Sequence, residues 1–351
     1  MWAPITHATL LHRCAVPSTP LITSTTLVST SGLKIAWARI GRAVDVATIS
    51  VIGLGAVGAS YAALIARAHP EIELRIVAGG PRAERFRRDG VVVNGERYRF
   101  TVVTPDQDVT PADLVIVAVK CHQLPAAIDE LAGQVGPDTM ILSLLNGITS
   151  EEALAAAYPR AYVPLAVAVG IDAVRDETGV RYSTLGWVEF GDSRPGERSP
   201  GSVRLEGLLA AADIPYVLQA DMRHALWWKF LVNVGVNQVT ALLEAPYALV
   251  QADGPARDLM ITAQREVVAV AQASGVDLTE ADIARFLVVL STLGPGNFTS
   301  MAQDALAQRR TEIDQFAGVV AQLGERYAVP TPVNAVLLQA FLAKHQLWGV
   351  C

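Results

Sequence analysis

The stretch ATISVIGLGAVGASYAALIARAHPEIELRIVAGG, residues 47–80, restricts the fold of this chain more than any other. Thr48 to Ile52 is a β-branched run with the character of a buried strand. It leads directly into Gly53-Leu54-Gly55-Ala56-Val57-Gly58, and an Ala/Leu/Ile-rich helix follows. A second strand, Ile72 to Ala78, closes a βαβ unit. A G-x-G-x-x-G pattern is weak alone, but between a strand and a helix it marks a dinucleotide site. The first Gly permits the tight turn, the second lets backbone approach a pyrophosphate, and the third lets helix pack on strand. Amides at the helix start then meet the phosphate charge.

The end of the second strand bears on which dinucleotide is bound. NAD-preferring sites usually carry Asp or Glu there for the ribose 2'-hydroxyl. Here the strand ends Val77-Ala78-Gly79-Gly80-Pro81-Arg82, with Arg85 soon after and no acid at the tip. Arg82, with Arg85 as second candidate, can pair with a 2'-phosphate, which points to NADP(H).

More α/β pattern follows. Val91 to Glu96 contains the Asn-Gly signal of a hairpin. Asp113 to Val119 and Thr139 to Leu145 read as buried strands that end at Lys120 and at Asn146-Gly147. Ligands of doubly wound sheets bind beyond the carboxyl ends of the strands, so Lys120 and Asn146 are expected at the cofactor crevice. Strand-like runs continue through Tyr162 to Val174, Arg181 to Phe190 and Ile214 to Leu218. From Asp221 onward the pattern is helical, interrupted by Pro and Gly breaks. The expected organisation is a Rossmann-type domain over 47–220 and an all-α domain over 221–351.

Residues 1–46 do not share this logic. Met1 to Val44 contains no Asp or Glu but has Arg13, Lys34, Arg39 and Arg42 among many Ser and Thr, a composition shared by transit peptides and by mis-assigned upstream extensions. A disordered extension is the expectation. Over the whole chain, hydrophobic residues at 51% against 18% charged exclude a disordered chain, and a net charge of -6 argues against a nucleic-acid partner. Cys14, Cys121 and Cys351 have neither paired nor metal-ligand spacing, so no metal is expected. No apolar run of about 20 residues suggests a membrane span, and a cytoplasmic location is expected.

The helical half carries a polar anomaly. Lys229, Asn233 and Asn237 stand four residues apart in HALWWKFLVNVGVNQVTALL, flanked by Trp227, Trp228, Phe230, Leu231 and Val232. Positions i, i+4 and i+8 share roughly one stripe of a helix of about 3.6 residues per turn. An ammonium and two carboxamides are costly to bury unless a polar partner faces them, so the stripe is expected to face a small polar ligand. A second cluster lies in Gly296 to Asp304, where Asn297, Thr299 or Ser300 reads as a helix cap. Arg309-Arg310-Thr311-Glu312 follows.

Taken in order, the glycine turn, Lys120, Asn146-Gly147, LWWKFLVNVGVNQVTAL and SMAQDALAQRRTEID resemble the ketopantoate reductase (2-dehydropantoate 2-reductase) family from about Thr48 to Gln346. The resemblance implies NADPH-dependent reduction of a small branched 2-oxo acid, ketopantoate foremost, to a 2-hydroxy acid in pantothenate and CoA biosynthesis. It also implies a Rossmann-type domain joined to a helical domain like that of 6-phosphogluconate dehydrogenase. By the same resemblance Lys229 matches the catalytic lysine and Glu312 the active-site glutamate. Asn233, Asn237, Ser300 and Asn146 match substrate contacts, and Lys120 and Asn146 line the nicotinamide side. Glu312 is expected to hold Lys229 in place. The chain departs from the pattern at Gly79, where the family commonly has Arg, at Gln238, where Pro is common, and at Tyr247.

Other readings are a reductase of a related 2-oxo acid, a 3-hydroxyacid dehydrogenase with a similar Lys-x-x-x-Asn pair, and a non-catalytic NADP(H) sensor. The expected partner is a small 2-oxo acid, and a homodimer is the one assembly considered.

Overall fold

The computed structural model describes residues 46–350. The expected extension thus falls, but for Val46, outside the described residues, as do Cys14 and Cys351. Strand β1 (Thr48–Ile52), helix α1 (Ala56–Ala68) and strand β2 (Glu73–Val77) form the βαβ unit. After α2 (Gly80–Asp89) come the hairpin β3 (Val91–Val93) and β4 (Glu96–Tyr98), then β5 (Thr101–Val103) and β6 (Leu114–Val117). Helix α3 (Leu124–Glu130), β7 (Met140–Ser143) and α4 (Ser150–Ala157) complete the first half of the chain. Strands β5, β2, β1, β6 and β7 lie in that order in one parallel sheet.

Both faces of this sheet are covered, which is why its strands read as nearly continuous apolar runs. Ile49, Val51, Leu114 and Ile116 enter one core, while Ile52, Val115 and Val117 enter another. Alternation along the strand sends neighbours to opposite faces. Strands β1 and β6 therefore tie two cores together.

The next strands are β8 (Leu165–Val169), β9 (Asp172–Asp176), β10 (Gly179–Thr184) and β11 (Trp187–Gly191), with β12 (Tyr216–Leu218) after helix α5 (Pro200–Ala211). Two runs expected as single strands are each broken in two. The chain leaves the sheet β12-β11-β8 for the sheet β4-β3-β10-β9 at Gly170 and returns at Gly186. Both glycines have positive φ, +68° and +62°, which side-chain-bearing residues rarely adopt. Helix α5 was not anticipated, although Ser199 caps it by accepting from the Ser202 amide at 3.1 Å.

From Met222 on, all regular structure is helical: α6 (Met222–Val232), α7 (Gln238–Leu242), α8 (Ala248–Gln251), α9 (Pro255–Ala273), α10 (Glu280–Thr292), α11 (Ser300–Leu306), α12 (Ala317–Tyr327) and α13 (Pro332–Trp348). Phe230, Val267, Phe316 and Phe341 are in its core. Met222 and Leu226 of α6 pack on Val167 of β8, joining the helices to the strands. No helix among the described residues is long and apolar enough to cross a membrane.

The polar stripe departs from the regular helix expected for it. Asn233–Asn237 between α6 and α7 form a π-helical turn. Such wide turns loosen the i→i−4 bonding and concentrate at functional sites. Side chains take up nearby carbonyls: Gln238 Nε2 donates to Val234 O at 2.6 Å, Thr240 Oγ1 to Val236 O at 2.7 Å and Gln264 Nε2 to Leu231 O at 3.4 Å. Regular i, i+4 spacing drifts by about 40° per step. The wide turn counters that drift and keeps Asn237 near the line of Lys229.

Candidate active site

The glycine turn is built for close approach. A Cβ at Gly53, whose φ is +93°, would lie 2.6 Å from the Ala118 backbone, and one at Gly58 would lie 2.0 Å from Gly53 O. At Gly55 the nearest atom is Ala118 O at 3.9 Å, so no protein atom forbids a side chain there. Helix α1 starts at Gly55 without a side-chain cap and with no acid in its first turn. Its amides are left for an anion. This fits a dinucleotide pyrophosphate over Gly53, Leu54, Gly55, Ala56, Val57 and Gly58.

At the tip of β2, Arg82 forms an ion pair with Glu130 of α3. Arg85 lies with its guanidinium 5.2 Å from the centre of the Phe86 ring.

Beyond the ends of β6 and β7 a polar network joins the two halves. Asn146 Nδ2 donates to Glu312 Oε2 at 3.1 Å, and Asn233 Nδ2 donates to Asn146 Oδ1 at 3.4 Å. Lys120 at the end of β6 pairs with Asp304 of α11, which also accepts from Arg309 Nε at 2.9 Å. Burial pushes the Glu312 carboxyl above the ordinary carboxylate range, opposed by the Lys120 charge and the Asn146 hydrogen bond. A cavity of about 150 Å³ beside Glu312 is lined by Cys121, His122, Arg310, Asp314 and Gln315 among others. Burial, with the Glu312 and Asp314 charges, raises the Cys121 thiol to about 11, so it is a poor nucleophile.

Lys229 makes no hydrogen bond or ion pair among the described residues. Burial lowers its ammonium below the ordinary lysine value, and the carboxylate acting against that shift is Glu189 of β11. Glu189 is itself held by Trp187 Nε1 at 3.0 Å and Gln219 Nε2 at 2.9 Å. The expectation that Glu312 holds Lys229 is therefore corrected. Glu312 engages Asn146 and faces Lys120, because residues 311–315 lie against the carboxyl edge of the sheet. Glu189 was missed; a lone acid in an alternating strand carries no signal that it faces an ammonium. Asp304, which pairs with Lys120 and Arg309, likewise carries no sequence signal of those partners.

The cap of α11 is Thr299, whose hydroxyl accepts from the Ala302 amide at 3.1 Å and lies 2.9 Å from Thr240 Oγ1. Ser300 is thereby exposed and released from capping. Asn237 is buried, and its carboxamide makes no hydrogen bond among the described residues. Thr299→Ala is expected to lower stability by about 1–2 kcal/mol through loss of both bonds. Urea unfolding checks this, and a change under about 0.3 kcal/mol would show that water replaces both partners.

A doubly wound sheet with this glycine turn, joined to an all-helical half, is the build of a nicotinamide-dependent oxidoreductase. Residues 49–195 match the family model described as ketopantoate reductase PanE/ApbA, and residues 221–345 match the one described as its C terminal. The chain belongs to the ketopantoate reductase family. A 2-dehydropantoate 2-reductase of Pyrobaculum aerophilum is 31% identical over 302 residues, 85% of this chain and 98% of that protein. Two solved structures share the fold. D-Mandelate dehydrogenase with NADH and anilino(oxo)acetate has a TM-score of 0.76 at 21% identity, covering 87% of this chain and all (100%) of that one. A dimeric ketopantoate reductase from Staphylococcus aureus has a TM-score of 0.70 at 23% identity, covering 86% and 100%.

Proposed function

We propose that this chain reduces 2-dehydropantoate (ketopantoate) to pantoate with NADPH, in pantothenate and CoA biosynthesis. The observation that carries the reading is the hydrogen-bonded path Asn233–Asn146–Glu312, which crosses from the helices to the sheet edge one helical turn from the unpaired Lys229. It is supported by the P. aerophilum relative, a 2-dehydropantoate 2-reductase.

Bound NADPH supplies the hydride, and the residues of the chain supply position and a proton. As the ketone carbon is reduced, negative charge develops on its oxygen. Lys229 stabilises that charge and then delivers its proton to the oxygen, giving the hydroxyl. Burial makes the ammonium a stronger acid, and the Glu189 charge acts against that shift. Because Asn233 Nδ2 is committed to Asn146, Asn233 Oδ1 remains an acceptor and suits the substrate hydroxyl. Asn237 is free to donate to the ketone oxygen. The exposed hydroxyl of Ser300 binds the substrate carboxylate. Lys120 and Asn146 line the nicotinamide side, with Glu312 fixing the Asn146 amide. Closure of domains 47–220 and 221–351 about Ala220 excludes water. By analogy with the dimeric S. aureus relative, we propose a homodimer.

The test is NADPH oxidation by the purified chain, with ketopantoate and then with other branched 2-oxo acids. No turnover with any of them defeats the proposal. Arg82→Ala should weaken NADPH by about tenfold and NADH by less than about twofold, in direct titrations. Equal weakening of both removes the 2'-phosphate role.

A further inference from the structure

We infer that Glu130, an acid carried by α3 and not by the tip of β2, limits how strongly this site prefers NADPH to NADH. The inference rests on the dinucleotide reading above. In a Rossmann-type sheet the adenosine ribose lies beyond the carboxyl end of β2, where a tip acid usually meets its 2'-hydroxyl. The tip here is Gly79-Gly80, with no side chain. A Cβ built on Gly79 would lie 3.9 Å from the Glu130 carboxyl carbon and 3.7 Å from the Pro105 ring. The Glu130 carboxylate thus borders the sector that a tip side chain would enter, and reaches it from a different element.

The two oxygens of that carboxylate differ. Oε1 pairs with Arg82. Oε2 is buried and has no hydrogen-bond partner among the described residues. A buried acceptor without a donor is costly, and a ribose hydroxyl is a donor of the right kind. A 2'-phosphate meets the opposite situation. It brings a second anion to the one guanidinium at the tip, so Arg82 must leave Glu130, and the freed carboxylate then repels the phosphate. Arg85 does not relieve the conflict, since its guanidinium lies over Phe86. NADH leaves the Arg82–Glu130 pair intact. The Arg82 side chain is 45% exposed and that of Glu130 20%, so solvent screens the pair and the effect is moderate.

The experiment measures dissociation constants of NADPH and NADH for the full chain, wild type and Glu130→Gln, by fluorescence titration. The expected result is an increase in NADPH preference of about five- to tenfold, with NADPH tighter and NADH unchanged or weaker. Glu130→Asp, which keeps the charge in a smaller side chain, is the control for packing and should stay within about threefold of the wild-type ratio. A Glu130→Gln ratio within about twofold of wild type overturns the inference. So does equal weakening of both cofactors, or a shift in Glu130→Asp as large as that in Glu130→Gln. If the wild type binds neither dinucleotide, the parent reading fails and takes this one with it. An unchanged ratio in a chain that binds both defeats this inference alone.

Discussion

Lys229→Ala is expected to lower kcat by about 10²- to 10⁴-fold while dinucleotide affinity changes by less than about threefold. The size follows from removing both the proton donor and the positive charge beside the developing alkoxide. The split between kcat and binding follows from position, since Lys229 sits on α6, away from the glycine turn at the start of α1. Near-normal turnover would reject Lys229 as the acid. The pH profile adds a second readout. The active form carries a proton on Lys229, so the rate falls as pH rises through the pKa of that group. Burial sets this pKa below the usual value of about 10.4. Glu189 opposes the shift, so Glu189→Gln should move the falling limb to still lower pH. A limb that stays in place in this variant would show that the two groups are uncoupled.

Gly55→Ala and Gly58→Ala should separate binding from folding. A methyl at Gly58 meets the Gly53 carbonyl at 2.0 Å, and backbone must move. That variant should lose about 1–3 kcal/mol of stability as well as dinucleotide affinity. A methyl at Gly55 has no protein atom closer than 3.9 Å, and the residue has an extended conformation open to alanine. Gly55→Ala should therefore fold with wild-type stability yet bind NADPH about 100-fold more weakly, because its methyl crowds only the pyrophosphate. Titration and denaturant unfolding of both variants test the contrast. Retained affinity in Gly55→Ala would place the phosphates elsewhere.

Local signals made much of this architecture legible. The βαβ unit was readable because strand, glycines and helix are contiguous. Lys120 and Asn146 were readable as strand-end residues for the same reason. The break at Gly170 was harder, because an apolar run on either side of a glycine reads alike whether or not the chain changes sheets. Helix α5 is masked by Gly201 and Gly207, which weaken its helical pattern; Gly201 is required because a Cβ there would come within 2.4 Å of the Tyr162 ring. Side-chain partnerships across long separations were the least legible. Resemblance supplied Glu312 as a site residue, but its engagement with Asn146 depends on how residues separated by 166 positions meet. The pairing of Arg82 with Glu130 is of the same kind.

The wide turn at Asn233–Asn237 sets a conflict between durability and chemistry in this part of the chain. Its i→i+5 geometry holds one residue more than a regular turn. Deleting one residue there would allow α6 and α7 to merge into one unbroken helix, an attractive change for anyone seeking a hardier protein. The same deletion would close the turn and withdraw the carbonyls that Gln238, Thr240 and Gln264 engage. Thr240 would then lose its Val236 partner, and the Thr240–Thr299 contact that seats α11 would be disturbed. Thermostability screens that reward helix regularity should therefore avoid residues 233–237.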